Sequence, residues 1–146
     1  MSSEALPFER LRTTASVPSF DQVDIHYDVY EAPSRSLVLV VPGFWRDRRH
    51  ASMVRLGQLV SAQGYRVAIL DSRGHGSSGG TYGFNLHEHH DVAAVATALL
   101  RELPIESITL LGLSYGGAIA ISTAARHTLP LASLLLISPV ADFAML

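Results

Sequence analysis

The sequence has no cysteine, a single tryptophan and a low share of charged residues, 16% of 146 positions. Without cysteine, disulfides and thiolate metal ligands are excluded, and the redox compartment stays open. The formal net charge is −2. A balance that close to neutral removes any electrostatic case for a nucleic-acid partner. No apolar run approaches the ~18 residues of a transmembrane helix, so no membrane partner is expected. The first twelve residues carry Glu4, Pro7 and Glu9 and no apolar core. That is not the pattern of a signal peptide, and a cytoplasmic protein is the default expectation. There is no internal repeat and no low-complexity segment.

Hydrophobic residues fill the space that charge leaves, at 48% with a mean hydropathy of +0.25. Such a chain is long enough for one domain with a substantial core. Its apolar balance predicts a sheet covered on both faces.

The order of patterns predicts an α/β fold. One irregular strand is expected near residues 9–15. Val23, Ile25, Tyr27 and Val29 alternate with Asp24, His26, Asp28 and Tyr30, which reads as a half-exposed strand near a sheet edge. Ala32-Pro33-Ser34 makes a turn. Residues 37–41 form an unbroken apolar strand that Pro42-Gly43 stops. Met53, Leu56, Leu59 and Val60 give helical spacing closed by Gly64. A strand at 65–70, a glycine-rich loop at 71–83 and an amphipathic helix ending near Pro104 follow. Then come a strand at 108–113, an Ala-rich helix and a last strand at 134–137. Strands alternating with helices imply a parallel sheet with right-handed crossovers. Ligands of such sheets bind beyond the carboxyl ends of the strands.

The stretch Gly112-Leu113-Ser114-Tyr115-Gly116-Gly117 lies at one of those ends. A serine with glycine at both second neighbours, between strand and helix, is the pattern of a nucleophile elbow. The turn is tight, and only hydrogen fits two residues either side. The following helix aims backbone N–H groups at whatever the hydroxyl attacks. The five-residue pattern alone turns up in roughly one chain in twenty of this size, so its position carries the argument. A plain helix N-cap is the competing role for Ser114.

Three other features admit competing readings. Gly74-His75-Gly76-Ser77-Ser78-Gly79 matches a dinucleotide fingerprint, but the next helical pattern starts too late and no acid ends the following strand. A turn shaped by glycines is expected, with no cofactor. His87-Glu88-His89-His90-Asp91 resembles a metal cluster, yet a solvated first helical turn is the expectation, with no metal. Arg46, Arg48 and Arg49 are expected at a solvated helix start, with an anionic substrate as the other option.

On three stretches together the chain resembles the α/β-hydrolase family. Residues 112–116 look like its nucleophile elbow. Val40-Val41-Pro42-Gly43-Phe44 looks like the loop that supplies half its oxyanion hole, the other option being an ordinary strand-ending turn. Asp71-Ser72-Arg73-Gly74-His75-Gly76-Ser77-Ser78 looks like its glycine-rich turn. The resemblance implies a mostly parallel sheet with flanking helices and a catalytic Ser114. It also implies an oxyanion hole made by the backbone N–H groups of Phe44 and Tyr115. Family members order their triad as serine, acid, histidine. After Ser114 this chain offers only His127 and Asp142, in the reverse order. His127 is thirteen residues along the helix, about 20 Å away, and cannot be the base. His75 sits in a loop on the correct side but is structural in the family. Asp142 is a weak acid candidate.

The chain therefore reads as residues 1–146 of one domain, the N-terminal portion of an α/β hydrolase, truncated after the sixth strand and incomplete at the C-terminus. The expected function is a serine hydrolase acting on a small-molecule ester, thioester or amide, with the acid and histidine part missing. The alternative is a non-catalytic copy of the fold that binds a ligand or protein partner. Self-association through the open edge of the last strand is also expected.

Overall fold

The computed structural model describes residues 12–140. Asp142, and residues 9–11 of the expected first strand, lie outside the described residues. Six strands form one sheet in the order β1-β2-β4-β3-β5-β6. The elements are β1 (Arg12–Pro18), β2 (Asp24–Tyr30), β3 (Ser36–Val41), α1 (Ala51–Ala62), β4 (Arg66–Leu70), α2 (Glu88–Glu102), β5 (Ser107–Leu113), α3 (Tyr115–Arg126) and β6 (Leu131–Ile137). β1 and β2 make an antiparallel hairpin, and β2 pairs antiparallel with β4. From β4 to β6 the sheet is parallel.

The apolar runs of the central strands divide their side chains between two faces, as period two requires. Leu37, Leu39 and Val41 of β3, with Ala68 and Leu70 of β4, join Val92, Val95 and Leu99 of α2 and Ile119 of α3 in one core. Val40, Val67 and Ile69 point the other way and meet Met53 of α1. Each fully buried side chain of this size contributes about 1.5–3 kcal/mol. Gly64 ends α1 with φ +93°, a left-handed position suited to glycine.

β2 departs from expectation. It lies near the sheet edge as expected, one strand in from β1, but it is not half-exposed, because its second half is buried on both faces. Asp28 is 2% exposed, as is Tyr30. Asp28 is buried because Arg48 reaches it from the loop after β3, Nε to Oδ1 at 2.9 Å. Tyr30 lies under α1 at Gly57, where a Cβ would come within 2.6 Å of the phenol ring. Among the described residues no helix is long and apolar enough to cross a membrane.

The chain leaves β3 toward β4 on one side and returns to β5 on the other. Val41 at the end of β3 pairs with Gly112 of β5. This is the point where strand order reverses, and the loops diverging there leave a crevice.

Candidate active site

Ser114 stands in that crevice, between β5 and α3. It is exposed and held at φ 52°, ψ −117°. A non-glycine residue in such a conformation costs of order 1–3 kcal/mol and persists only where its surroundings enforce it. Here they do. A Cβ on Gly112 would sit 2.5 Å from the Gly117 Cα, and one on Gly116 would run into the Val41 carbonyl and come 2.5 Å from that of Pro42. The Ser114 N–H donates to the Ile137 carbonyl at 2.8 Å. Its own carbonyl accepts from Gly117 N–H at 2.9 Å and Val140 N–H at 3.2 Å. Ser114 occupies the N-cap position of α3, yet its side chain makes no capping hydrogen bond. The hydroxyl is turned outward instead of serving the helix.

The loop after β3 lies directly against the elbow. A Cβ on Gly43 would be 3.3 Å from that of Ser114. The Phe44 N–H has no hydrogen-bond partner among the described residues, and Tyr115 N–H opens α3 at the first helical position. Two open cavities share Phe44 and Ser114 in their walls. One, of about 390 Å³, continues over Trp45, Arg46, Met53 and Leu113. The other, of about 350 Å³, continues over Phe84, Tyr115 and Val140.

An aromatic wall surrounds Phe44, which sequence reasoning missed. Its ring centroid lies 4.6 Å from Trp45, 5.3 Å from His75, 5.2 Å from Tyr82 and 6.0 Å from Phe84. The available signal was the lone tryptophan beside Phe44 and the Tyr82-Gly83-Phe84 ending of the glycine-rich loop. Burial pushes the Tyr115 phenol up to about 12. Burial likewise raises Tyr82, with the neighbouring Tyr115 and Glu88 adding to it. Both hydroxyls stay protonated across the physiological range.

Arg48 corrects the expectation of a solvated helix start. It is 1% exposed and bridges Asp28 and Asp71. Its backbone N–H also donates to Asp71 Oδ1 at 2.7 Å. Asp71 further accepts from Ser77 N–H at 2.9 Å, and Ser78 Oγ donates to the Asp71 carbonyl at 2.8 Å. Asp71 therefore fastens the glycine-rich loop to the loop carrying Phe44. Arg46 and Arg49 are exposed, and Arg46 lines the larger cavity beside Ser114. No helix starts in residues 71–83, so the phosphate-cradling geometry of a dinucleotide site is not built.

His75 does not reach Ser114. Its strand is separated from β5 by β3, and its Nε2 accepts the Trp45 N–H at 3.3 Å. It supports the loop after β3. His127 caps the far end of α3 and pairs with His89 at 2.9 Å. Among the described residues no imidazole hydrogen-bonds the Ser114 hydroxyl.

The first turn of α2 is also not solvated. Glu88 and Asp91 are each 1% exposed, and His89 is buried. Glu88 accepts the backbone N–H groups of Gly83 and His87. Asp91 binds Arg73 through both carboxylate oxygens at 2.7 and 2.8 Å and accepts Ser19 Oγ at 2.6 Å. Nitrogens of His89, His90 and His127 lie within 4.8 Å of one another, apart from the Ser114 crevice.

A mostly parallel sheet with a strained, exposed serine at the strand-to-helix junction, and the loop of the neighbouring strand packed against it, defines the serine-elbow class of α/β proteins. Comparison with known proteins agrees. The family model described as alpha/beta hydrolase fold matches residues 36–146. The chain belongs to the α/β-hydrolase fold family. A relative from Xenopus tropicalis, an sn-1-specific diacylglycerol lipase (ABHD11), is 34% identical over 113 residues, 72% of this chain and 32% of its own. The esterase Pf2001 of Pyrococcus furiosus superposes with a TM-score of 0.82 at 22% identity, covering 92% of this chain and 56% of the esterase. The bottromycin epimerase BotH, in complex with bottromycin A2, superposes at 0.69 with 29% identity, covering 84% and 47%. The chain thus spans about a third of the curated relative and about half of these structures.

Proposed function

We propose that these residues carry the nucleophile and oxyanion hole of a serine hydrolase that cleaves an ester, thioester or amide through an acyl-enzyme. The observation that carries this reading is the outward Ser114 hydroxyl in a positive-φ elbow, sharing its cavities with Phe44, whose N–H has no hydrogen-bond partner among the described residues. Ser114 Oγ attacks the acyl carbon and the carbonyl π electrons move to oxygen. The N–H groups of Phe44 and Tyr115 hold that oxyanion, and each such donor is worth about 3 kcal/mol of barrier. Collapse expels the leaving group and leaves the acyl group on Ser114, which water then removes. The base that takes the Ser114 proton is assigned to a histidine in the half of the fold this sequence does not span. Asp142 is the acid candidate within the sequence. The lipase relative favours an ester as substrate, and the aromatic wall suits an apolar acyl chain.

The full-length protein tests this with a serine-directed fluorophosphonate probe. Wild-type protein is labelled, and Ser114→Ala loses both labelling and ester turnover while circular dichroism stays unchanged. Undiminished turnover in that variant overturns the assignment. The second reading is a non-catalytic copy of the fold. The absence of an imidazole at Ser114 among the described residues, and the resemblance to a protein named an epimerase, favour it. Folded full-length protein that resists the probe and hydrolyses no ester establishes it.

A further inference from the structure

We propose that His89, His90 and His127 form a structural site for one borderline divalent metal ion, of the zinc type, that ties the start of α2 to the end of α3. The three imidazoles come from two elements far apart in sequence. His89 and His90 sit in the first turn of α2, and His127 is the C-cap of α3. Their ring centroids form a triangle with sides of 4.1, 5.2 and 5.3 Å. One candidate nitrogen from each ring lies within 4.8 Å of the others.

A zinc–nitrogen bond of about 2.0–2.1 Å places tetrahedral ligand nitrogens about 3.4 Å apart. His89 Nδ1 and His127 Nε2 are 2.9 Å apart and need to open slightly. The widest pair has to close by about 1.4 Å, a shift that a half-buried ring such as His90 can make. Without an ion, the His89 and His127 nitrogens share one proton in a hydrogen bond. With an ion, that proton resides on the outward nitrogen of the same ring, so neutral imidazoles bind without losing a proton.

The donor set selects the metal class. Three imidazoles and no carboxylate suit zinc, copper, nickel or cobalt rather than magnesium or calcium. Burial holds His89 and His127 below the usual imidazole range, and the charges of neighbouring His90 and Arg126 push the same way. Arg126 and Arg101 oppose a cation nearby, which limits affinity without blocking the site. A cavity of about 440 Å³ adjoins two of the three rings, with His90, His127, Phe20 and Thr97 in its walls, and it offers room for a water ligand. Phe20 buttresses the His90 ring at 4.4 Å.

The site is remote from Ser114. The twelve residues of α3 separate them, about 20 Å at 1.5 Å per residue. The ion's role is to clamp two helices that otherwise meet through packing and the His89–His127 hydrogen bond, and α3 is the helix that begins at Ser114.

The test uses full-length protein without an affinity tag. Cobalt(II) is titrated in, followed by its visible absorption, then displaced with zinc. One ion per chain is expected, and saturating zinc raises the thermal midpoint by roughly 5 °C. His90→Gln and His127→Gln each weaken binding at least tenfold and cancel the thermal rise. His75→Gln leaves both unchanged. Ser114→Ala binds cobalt as wild type does, so failure of this site and failure of the hydrolase reading are distinguishable. Lack of saturable binding by wild-type protein overturns the proposal, as does undiminished binding in either folded glutamine variant.

Discussion

Replacing Arg48 with methionine tests how far one buried side chain holds the site together. The substitution keeps most of the volume and removes the charge. The native guanidinium lies between two buried carboxylates, Asp28 and Asp71. Asp28 retains Thr14 Oγ1 at 2.7 Å, and Asp71 retains the backbone N–H groups of Ser77 and residue 48. Neither keeps a cation. Breaking a buried pair by removing one partner costs about 3–5 kcal/mol, since an uncompensated charge stays in a poorly solvated place. For a domain of this size, 1 kcal/mol shifts the midpoint by about 2–4 °C. Arg48→Met should therefore lower the thermal midpoint by roughly 6–20 °C. Arg46→Met and Arg49→Met, at exposed positions, should stay within about 0.5 kcal/mol of wild type. Arg48→Lys should recover only part of the loss, because an ammonium cannot make the fork that spans both carboxylates. Differential scanning calorimetry of the four variants decides. A loss under 1 kcal/mol for Arg48→Met would refute the account and show that water or protonation compensates the carboxylates fully.

Gly116→Ala should damage the elbow, because its Cβ meets the backbone carbonyls of Val41 and Pro42. It should cost about 1–3 kcal/mol by overpacking and reduce fluorophosphonate labelling of full-length protein about a hundredfold, and wild-type labelling would refute this. Burial raises the pKa of Tyr27, Tyr30, Tyr82 and Tyr115. A raised folded-state pKa contributes stability that is complete below the unfolded value of about 10 and lost as pH climbs through the folded one. The thermal midpoint should therefore fall between about pH 10 and pH 12, where Tyr115 titrates, and a flat profile there would contradict the reading. A polypeptide of residues 1–146 should self-associate along β6, where Leu135 is 50% and Ile137 54% exposed. It should show no ester turnover above its Ser114→Ala control. A monomer in size-exclusion chromatography with Ser114-dependent turnover would refute both.

Much of this architecture is legible in the sequence because its causes are local. The elbow is legible at Gly112, Ser114 and Gly116 from their spacing; the collision that demands glycine at 112 arises within the turn, at Gly116 and Gly117, whereas the one at 116 comes from the Val41 and Pro42 carbonyls that the fold delivers. The strands at β3, β4 and β5 and the helices between them declare themselves by period. Phe44 comes beside Ser114 because β3 and β5 are neighbours, a pairing that the folded sheet supplies. What the sequence could not show is where its charged residues go. Arg48, Glu88 and Asp91 read as solvent-facing, because ionic side chains mostly are. The structure buries all three, since their partners arrive from elsewhere in the chain: Asp28 and Asp71 for Arg48, and Arg73 and Ser19 for Asp91. The same holds for His89 and His127, 38 residues apart and 2.9 Å from each other. A charge or an imidazole can be buried only when its complement is delivered to the same place. Periodicity reports which face of an element is apolar, but only the folded sheet decides which distant groups meet there.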